Sequence, residues 1–197
     1  MAKSTGPILK RCRSLGIDPV FLGYSKKSKK NPKMNRRKVS EYGLQLRAKQ
    51  KAKFIYGVQE KPFRNMFEKA EKMPGLVGTN LMQLLELRLD NVVFRLGYAR
   101  TRRESRQVVT HKHVTVNGRV INIPSYKVQP GDVIEIKEKS KSLQRFKDIA
   151  EANKGISVPA WLEGDAEKLS GKVVEIPLRE QIDVPVNETL IVELYSK

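Results

Sequence analysis

Residues 88–136 read RLDNVVFRLGYARTRRESRQVVTHKHVTVNGRVINIPSYKVQPGDVIEI. Two periodicities meet in this stretch. As far as about His111 the apolar residues recur at three and four, the spacing of a helix face. Beyond it they alternate, the spacing of a half-buried strand. Gly97 closes a first helix, and Thr101-Arg102-Arg103-Glu104 is a capping box that opens a second, with Thr at the N-cap and Glu three residues on. HVTV and RVINI flank Asn117-Gly118, the dipeptide of a type I′ hairpin turn. Gln129-Pro130-Gly131-Asp132 then turns the chain into a third strand, VIEIK. The stretch predicts a helix pair followed by a small antiparallel sheet.

Working outward, the first helix of the pair starts upstream. Thr79 reads as the cap of one long helix, NLMQLLELRLDNVVFRLG, with Leu81, Leu84, Leu85, Leu89, Val92, Val93 and Leu96 on one apolar stripe. In KPFRNMFEKAEKM, Phe63, Met66, Phe67 and Ala70 recur at helical spacing until Pro74-Gly75 ends the pattern. Ser40 caps a helix through LQLRAKQKAKFIYG to about Gly57, with Arg47/Lys51 and Lys49/Lys53 as two charged stripes. Pro7, at a first helical position, opens a short basic helix ending near Gly16, and Val20 to Lys38 reads as loop. Downstream, SLQRFKDIAEAN is helical, with Leu143, Phe146 and Ile149/Ala150 on one face. VPAWLEGD, KVVEIP and TLIVELYSK read as loop with short strands. The fold class is α+β. Four segments are expected: a basic arm with the first helices (1–53), the rest of a helical amino-terminal lobe (54–86), the sheet-bearing unit (87–137), and a carboxy-terminal helix and strands packing back on the lobes (138–197).

The chain has 197 residues with 39 Lys+Arg against 21 Asp+Glu, a net charge of +18. The excess is concentrated: residues 1–53 hold 16 Lys+Arg against Asp18 and Glu41, whereas 136–197 net −1. Such a charge points to a polyanionic partner, nucleic acid or an anionic surface. The apolar runs NVVF and LIVEL fall far below the roughly 18 residues that span a bilayer, and the basic amino end lacks the apolar segment of a signal peptide. The single cysteine, Cys12, excludes an internal disulfide and fits a reducing compartment.

A second cationic cluster lies in the decisive stretch. Between Arg95 and Arg119 stand Arg95, Arg100, Arg102, Arg103, Arg106, Lys112 and Arg119, opposed only by Glu104. Arg102 and Arg106, four apart with Arg103 beside them, are expected to share one helix face as a guanidinium comb for phosphates. Val108 and Val109 pack the opposite side. On this expectation Arg102 and Arg106 are removable without unfolding the domain. The Thr101 cap leaves backbone N–H groups at a positive helix end, and His113, Asn117 and Tyr126 are placed to meet exposed bases. In the arm, Lys10, Arg11, Arg13, Lys26, Lys27, Arg47 and Lys51 are further candidate RNA contacts, ordered against phosphate with release of counterions.

The stretch 88–136 resembles the small αL RNA-binding domain named after small-subunit ribosomal protein four. SEYGLQLRAKQKAKFIYGV, FRNMF and the terminal LIVELYSK are similar to bacterial and organellar copies of that protein family. The resemblance implies a helical amino-terminal lobe plus an αL lobe with a small antiparallel sheet. It implies a protein of the small ribosomal subunit, in a cytoplasmic or organellar ribosome. Its rRNA contact would lie at a multi-helix junction near the 5′ end, nucleating assembly of the subunit body. It further implies neighbours among ribosomal proteins three, five and twelve, a part in decoding accuracy, and contact with incoming mRNA. The cluster matching the mRNA contacts is Arg36, Arg37 and Lys38. No membrane or small-molecule partner is implied.

Many members of that family carry a four-cysteine zinc site in the arm. With Cys12 alone, and His111 and His113 about a hundred residues away, the ligands of a tetrahedral site are missing, and no cofactor is expected. Related αL domains are also attached to pseudouridine synthases, whose catalytic aspartate lies in an Arg-Leu-Asp motif. Arg88-Leu89-Asp90 matches those letters, but inside the binding domain's own first helix, and too little chain follows for a catalytic fold. Asp90 is expected to be an exposed helix residue near Arg88. No GxxxxGK[ST], GxGxxG or HExxH is present. A binding protein, not an enzyme, is expected.

Overall fold

The computed structural model of the chain describes residues 6–26, 30, 39–153, 158–165 and 168–196. These fall into two compact units. One comprises the residues up to Met82 together with those from Asp183 on, and the other Gln83–Ile182. The class is α+β: the first unit is helical, and the second joins helices to an antiparallel sheet.

In the helical unit, α1 (Ile8–Leu15) ends at Gly16 in the left-handed conformation, and an Asp18-capped 3-10 turn follows at Pro19–Leu22. That turn lies where the sequence reads as loop. Ser40 caps α2 (Glu41–Tyr56) by accepting the Gly43 N–H at 3.2 Å. Behind it, α3 (Glu60–Glu71) buries Phe63, Phe67 and Ala70. The next helix, α4 (Val77–Glu86), begins two residues before Thr79, so Thr79 is not its cap. The nearby polar device is Asn80, whose Nδ2 donates to the carbonyls of Ala70, Met73 and Pro74 and covers the open end of α3.

The carboxy-terminal TLIVELYSK, read as loop or strand, forms α9 (Glu188–Tyr195). Its β-branched residues favour strand in isolation, but packing decides. Asn187 caps the helix at the Thr189 N–H (3.0 Å), Ile191 is fully buried, and Tyr195 stacks on Phe67 with ring centroids 4.4 Å apart.

The second unit opens with another departure from the sequence reading. The single long helix expected to Gly97 is broken after Glu86, and α5 (Leu89–Arg95) starts afresh. Leu87 is a turn residue, and Arg88 is extended and bridges Lys127. Carbonyls of the 124–126 loop accept the first N–H groups of α5, Leu89 N–H to Tyr126 O and Asp90 N–H to Pro124 O. Leu87 and Leu89 are both buried, so the apolar stripe runs on across the break and periodicity alone cannot show it.

α6 (Arg102–Thr110) leads into strands β1 (Val114–Val116), β2 (Arg119–Val120) and β3 (Val133–Ile136). The Asn117-Gly118 turn has positive φ at both residues, as a type I′ turn requires. After β3 come α7 (Glu138–Lys141), α8 (Gln144–Ala152), β4 (Leu162–Asp165) and β5 (Ser170–Val173). The sheet order is β2-β1-β3-β5-β4, all antiparallel. Val114 opposes Ile136 and Val116 opposes Ile134, placing four buried residues on one face against α5 and α6 residues Val92, Val93, Val108 and Val109. Gly164 opposes Gly171, and a Cβ on Gly171 would meet the Leu96 side chain at 2.7 Å, so this pair lets Leu96 settle directly on the sheet.

Candidate nucleic-acid interface

Beneath the cationic helix lies a buried set of paired charges. Arg88 donates to both oxygens of Asp90, at 3.0 and 2.7 Å, and Arg106 comes within 3.5 Å of the same carboxylate. Asp90 is only 4% exposed, so the expectation that it lies in solvent is corrected. Burial pushes its carboxyl pKa upward, and the two arginines pull against that push. Glu86, wholly buried, accepts from Arg95 at 2.9 and 3.1 Å and from Asn91 Nδ2 at 2.7 Å. Asn91 Oδ1 accepts from Arg102 Nε at 2.9 Å, and the Arg102 guanidinium sits 4.4 Å from the Phe94 ring centroid. Ser105 Oγ ties α6 to the Asp90 carbonyl at 2.6 Å. Two carboxylates upstream of the cationic run thus take up three arginines, Arg88, Arg95 and Arg106, and the Asn91 amide holds a fourth, Arg102.

The comb is therefore different from the one expected. Arg102 is 9% exposed and faces inward, because a helix lying on α5 must turn one side to it, and position 102 shares that side with Ser105 and Val109. Arg103 is exposed on the outward side, Arg106 lies at the boundary, and Arg100 is exposed just before the helix. The N-terminus of α6 is not open to an outside anion at every donor. Thr101 Oγ1 accepts the Glu104 N–H at 3.1 Å, and Glu104 Oε2 accepts the Arg100 N–H at 2.7 Å. Beyond the helix, Lys112 (φ 63°) and Arg119 are exposed. His113 is half-buried, sharing a hydrogen bond with Ser140 Oγ at 2.9 Å and packing edge-on to Phe146. Asn117 is exposed, yet its amide is engaged within the fold: Nδ2 donates to Asp132 at 2.8 Å and Oδ1 accepts the Val133 N–H at 2.9 Å. Tyr126 packs partly against the core.

In the helical unit, Lys10 and Arg11 are exposed on α1 and Arg47 on α2, while Arg13 and Lys51 are half-buried. Arg11 donates to Gln50 at 3.1 Å, which brings it to the α2 face bearing Arg47 and Lys51. The other stripe turns away from an external role: Lys49 and Lys53 both clamp Glu60, at 2.8 and 2.5 Å. Lys26 is exposed. Lys27, Arg36, Arg37 and Lys38 lie outside the described residues.

Residues 87–134 match the family model described as "S4 domain", and residues 3–86 match "Ribosomal protein S4/S9 N-terminal domain". The chain is 67% identical over 197 residues to the small ribosomal subunit protein uS4 of Agathobacter rectalis, with all of both chains covered. It is 66% identical to that of Lachnospira eligens and 48% identical to that of Fusobacterium nucleatum, again with full coverage of both chains.

The chain belongs to the uS4 family of small ribosomal subunit proteins. As a uS4 family member it is a structural component of the ribosome and not an enzyme. The Arg88-Leu89-Asp90 triplet accordingly belongs to the scaffold: its carboxylate is spent on two arginines. No helix among the described residues is long and apolar enough to cross a membrane.

Several residues that shape this charged region carry no signal in the sequence. Glu86 and Asn91 reach Arg95 and Arg102 across the break between α4 and α5, which the apolar stripe conceals. Arg145 of α8 donates to Glu104 Oε1 at 2.8 and 3.2 Å from 41 residues away, and no spacing signals such a pair.

Proposed function

We propose that this chain binds small-subunit rRNA directly, at a multi-helix junction near the 5′ end, and nucleates assembly of the subunit body. The observation that carries this reading is the division of labour among the arginines. Arg88, Arg95 and Arg102 are locked to buried partners, while Arg100, Arg103, Lys112 and Arg119 stay exposed on the framework those pairs stiffen. Cations held in place lose little side-chain entropy when they meet phosphate, and guanidinium geometry suits phosphate oxygens. Arg11, Arg47 and Lys51 give the helical unit a basic face of its own. The test is co-sedimentation with small subunits after a high-salt wash, joined to footprinting on the naked small-subunit rRNA. Protection of a junction near the 5′ end is expected, and an unprotected transcript would end the reading.

Ribosomal proteins three, five and twelve are the proposed protein neighbours, five and twelve through decoding accuracy. Arg36, Arg37 and Lys38 are the proposed contacts to incoming mRNA. Neutralising those three should slow passage through a hairpin reporter more than it impairs subunit assembly. The arm is proposed to hold no zinc: Cys12 is the only cysteine in the sequence, and its thiol is buried in α1 with its pKa raised by that burial. Stoichiometric zinc in the purified protein would contradict this.

A further inference from the structure

The match to the RNA-binding domain ends at residue 134, but the basic surface does not. The chain leaving β3 turns back along α6. Lys137 donates its backbone N–H to the His113 carbonyl at 2.8 Å, and Ser140 shares its hydroxyl with the His113 ring. Phe146 of α8 is fully buried and lies 5.6 Å from that ring, centroid to centroid. These contacts fasten α7 and the start of α8 beside α6. Lys137 is exposed there and makes no ion pair with any described residue. Arg145 lies at the other end of the same seam, its guanidinium on Glu104. Both cations are near enough to His113 to oppose its protonation.

Glu104 is the only acid between Arg95 and Arg119, and it is built in. One oxygen accepts the Arg100 N–H that opens α6, and the other takes two hydrogen bonds from Arg145. Without Arg145, a fixed negative charge would stand between exposed Arg100 and Arg103, where phosphate oxygens would have to approach. With it the pair is neutral, and the guanidinium, 40% exposed, keeps donors turned outward.

We infer that the RNA-binding surface continues beyond the αL domain onto the α7–α8 seam, with Lys137 contacting RNA phosphate and Arg145 acting as a positioning residue that neutralises Glu104. This rests on the rRNA-binding reading above and extends it to residues outside the matched domain.

The experiment is a salt titration of binding to a small-subunit rRNA fragment by the full chain, comparing Lys137→Gln, Arg145→Gln, Glu104→Gln/Arg145→Gln and Arg103→Gln. Each lost phosphate contact reduces the slope of log K against log salt by roughly 0.7 to 0.9. Lys137→Gln should lose one such step with an unchanged melting curve, since the side chain is exposed. Arg145→Gln should weaken binding at least as much, and the double variant should recover part of that loss. A residue that merely braces the fold would show no such recovery, because Glu104→Gln restores no contact to α8. If Arg103→Gln flattens the slope while Lys137→Gln and Arg145→Gln leave it untouched, the seam is not part of the surface and this inference falls alone. If Arg103→Gln is also without effect, the rRNA-binding reading falls with it.

Discussion

Arg102 on α6 donates through Nε to Asn91 Oδ1 on α5 at 2.9 Å, and Asn91 passes the connection on to buried Glu86. A residue that looks on paper like the centre of an RNA-binding comb is a strut between two helices. Its neighbour Arg103, one position on, turns to solvent. The 100° step of a helix separates the two roles.

Arg102→Ala and Arg103→Ala should therefore behave in opposite ways. Losing Arg102 strands the Asn91 carbonyl and the Phe94 face inside the fold, at a cost of about 2–4 kcal/mol. Denaturant unfolding should show that loss, and the reduced RNA binding should follow the unfolded fraction. Arg103→Ala should leave the unfolding midpoint unchanged and reduce the salt slope of RNA binding by roughly 0.7 to 0.9. Equal effects from the two variants on both readouts would contradict the division.

The elements with strong local codes were legible in the sequence: the Ser40 and Thr101 caps, the Asn117-Gly118 turn and the Phe63/Phe67/Ala70 face all stand as their residues dictate. What escaped was decided by partners distant in the chain. The break at Leu87-Arg88 exists because the 124–128 segment captures backbone groups there, and α9 exists because its apolar side packs on α2 and α3. The candidate site was half legible for the same reason. Counting cations in a row locates the basic stretch, but only the fold shows that Glu86 and Asp90 draw arginines inward and that Asn117 clips the hairpin turn to Asp132 and Val133.

Tyr98 gives a test of the core beneath the interface. Its ring is fully buried, and its hydroxyl finds no partner among the described residues. Burial, with Asp165 and Glu135 adding to it, pushes its pKa well above the usual value of 10, so it stays protonated. An unpaired buried hydroxyl costs free energy that Phe would not incur. Tyr98→Phe should leave stability unchanged or raise it by about 1 kcal/mol. A clear loss in urea unfolding would show that the hydroxyl makes a stabilising bond.

Glu60 predicts how the helical unit responds to acid. Partial burial pushes its carboxyl up, but hydrogen bonds from Lys49 and Lys53 win and bring it from 4.5 to about 2. A carboxylate depressed in the folded state contributes stability above about pH 4.5, and that contribution fades as pH falls toward 2. The side chain is half exposed, so the effect is modest. Glu60→Gln should lower the urea midpoint at neutral pH and flatten its decline between pH 4.5 and 2. An acid limb identical to that of the unmodified chain would show that the Lys49–Glu60–Lys53 clamp carries no linkage.

His113 predicts a second, milder pH dependence. Burial first, then His111, Arg145 and Lys137, lower its pKa from the usual 6.5. The folded protein therefore binds its proton less readily than the unfolded chain, so stability is fullest above pH 6.5 and falls as pH drops through that value. The chain has only two histidines, so single substitutions at His111 and His113 separate their contributions. Protonation would place a cation between Arg145, Lys137 and the Phe146 ring, loosening α7 and α8 from α6. His113→Gln keeps a hydrogen-bonding group near Ser140 and removes the titration, so its unfolding midpoint should decline less below pH 6.5 than that of the unmodified chain. A decline that survives His113→Gln and disappears in His111→Gln would assign the dependence to the exposed ring and remove His113 from it.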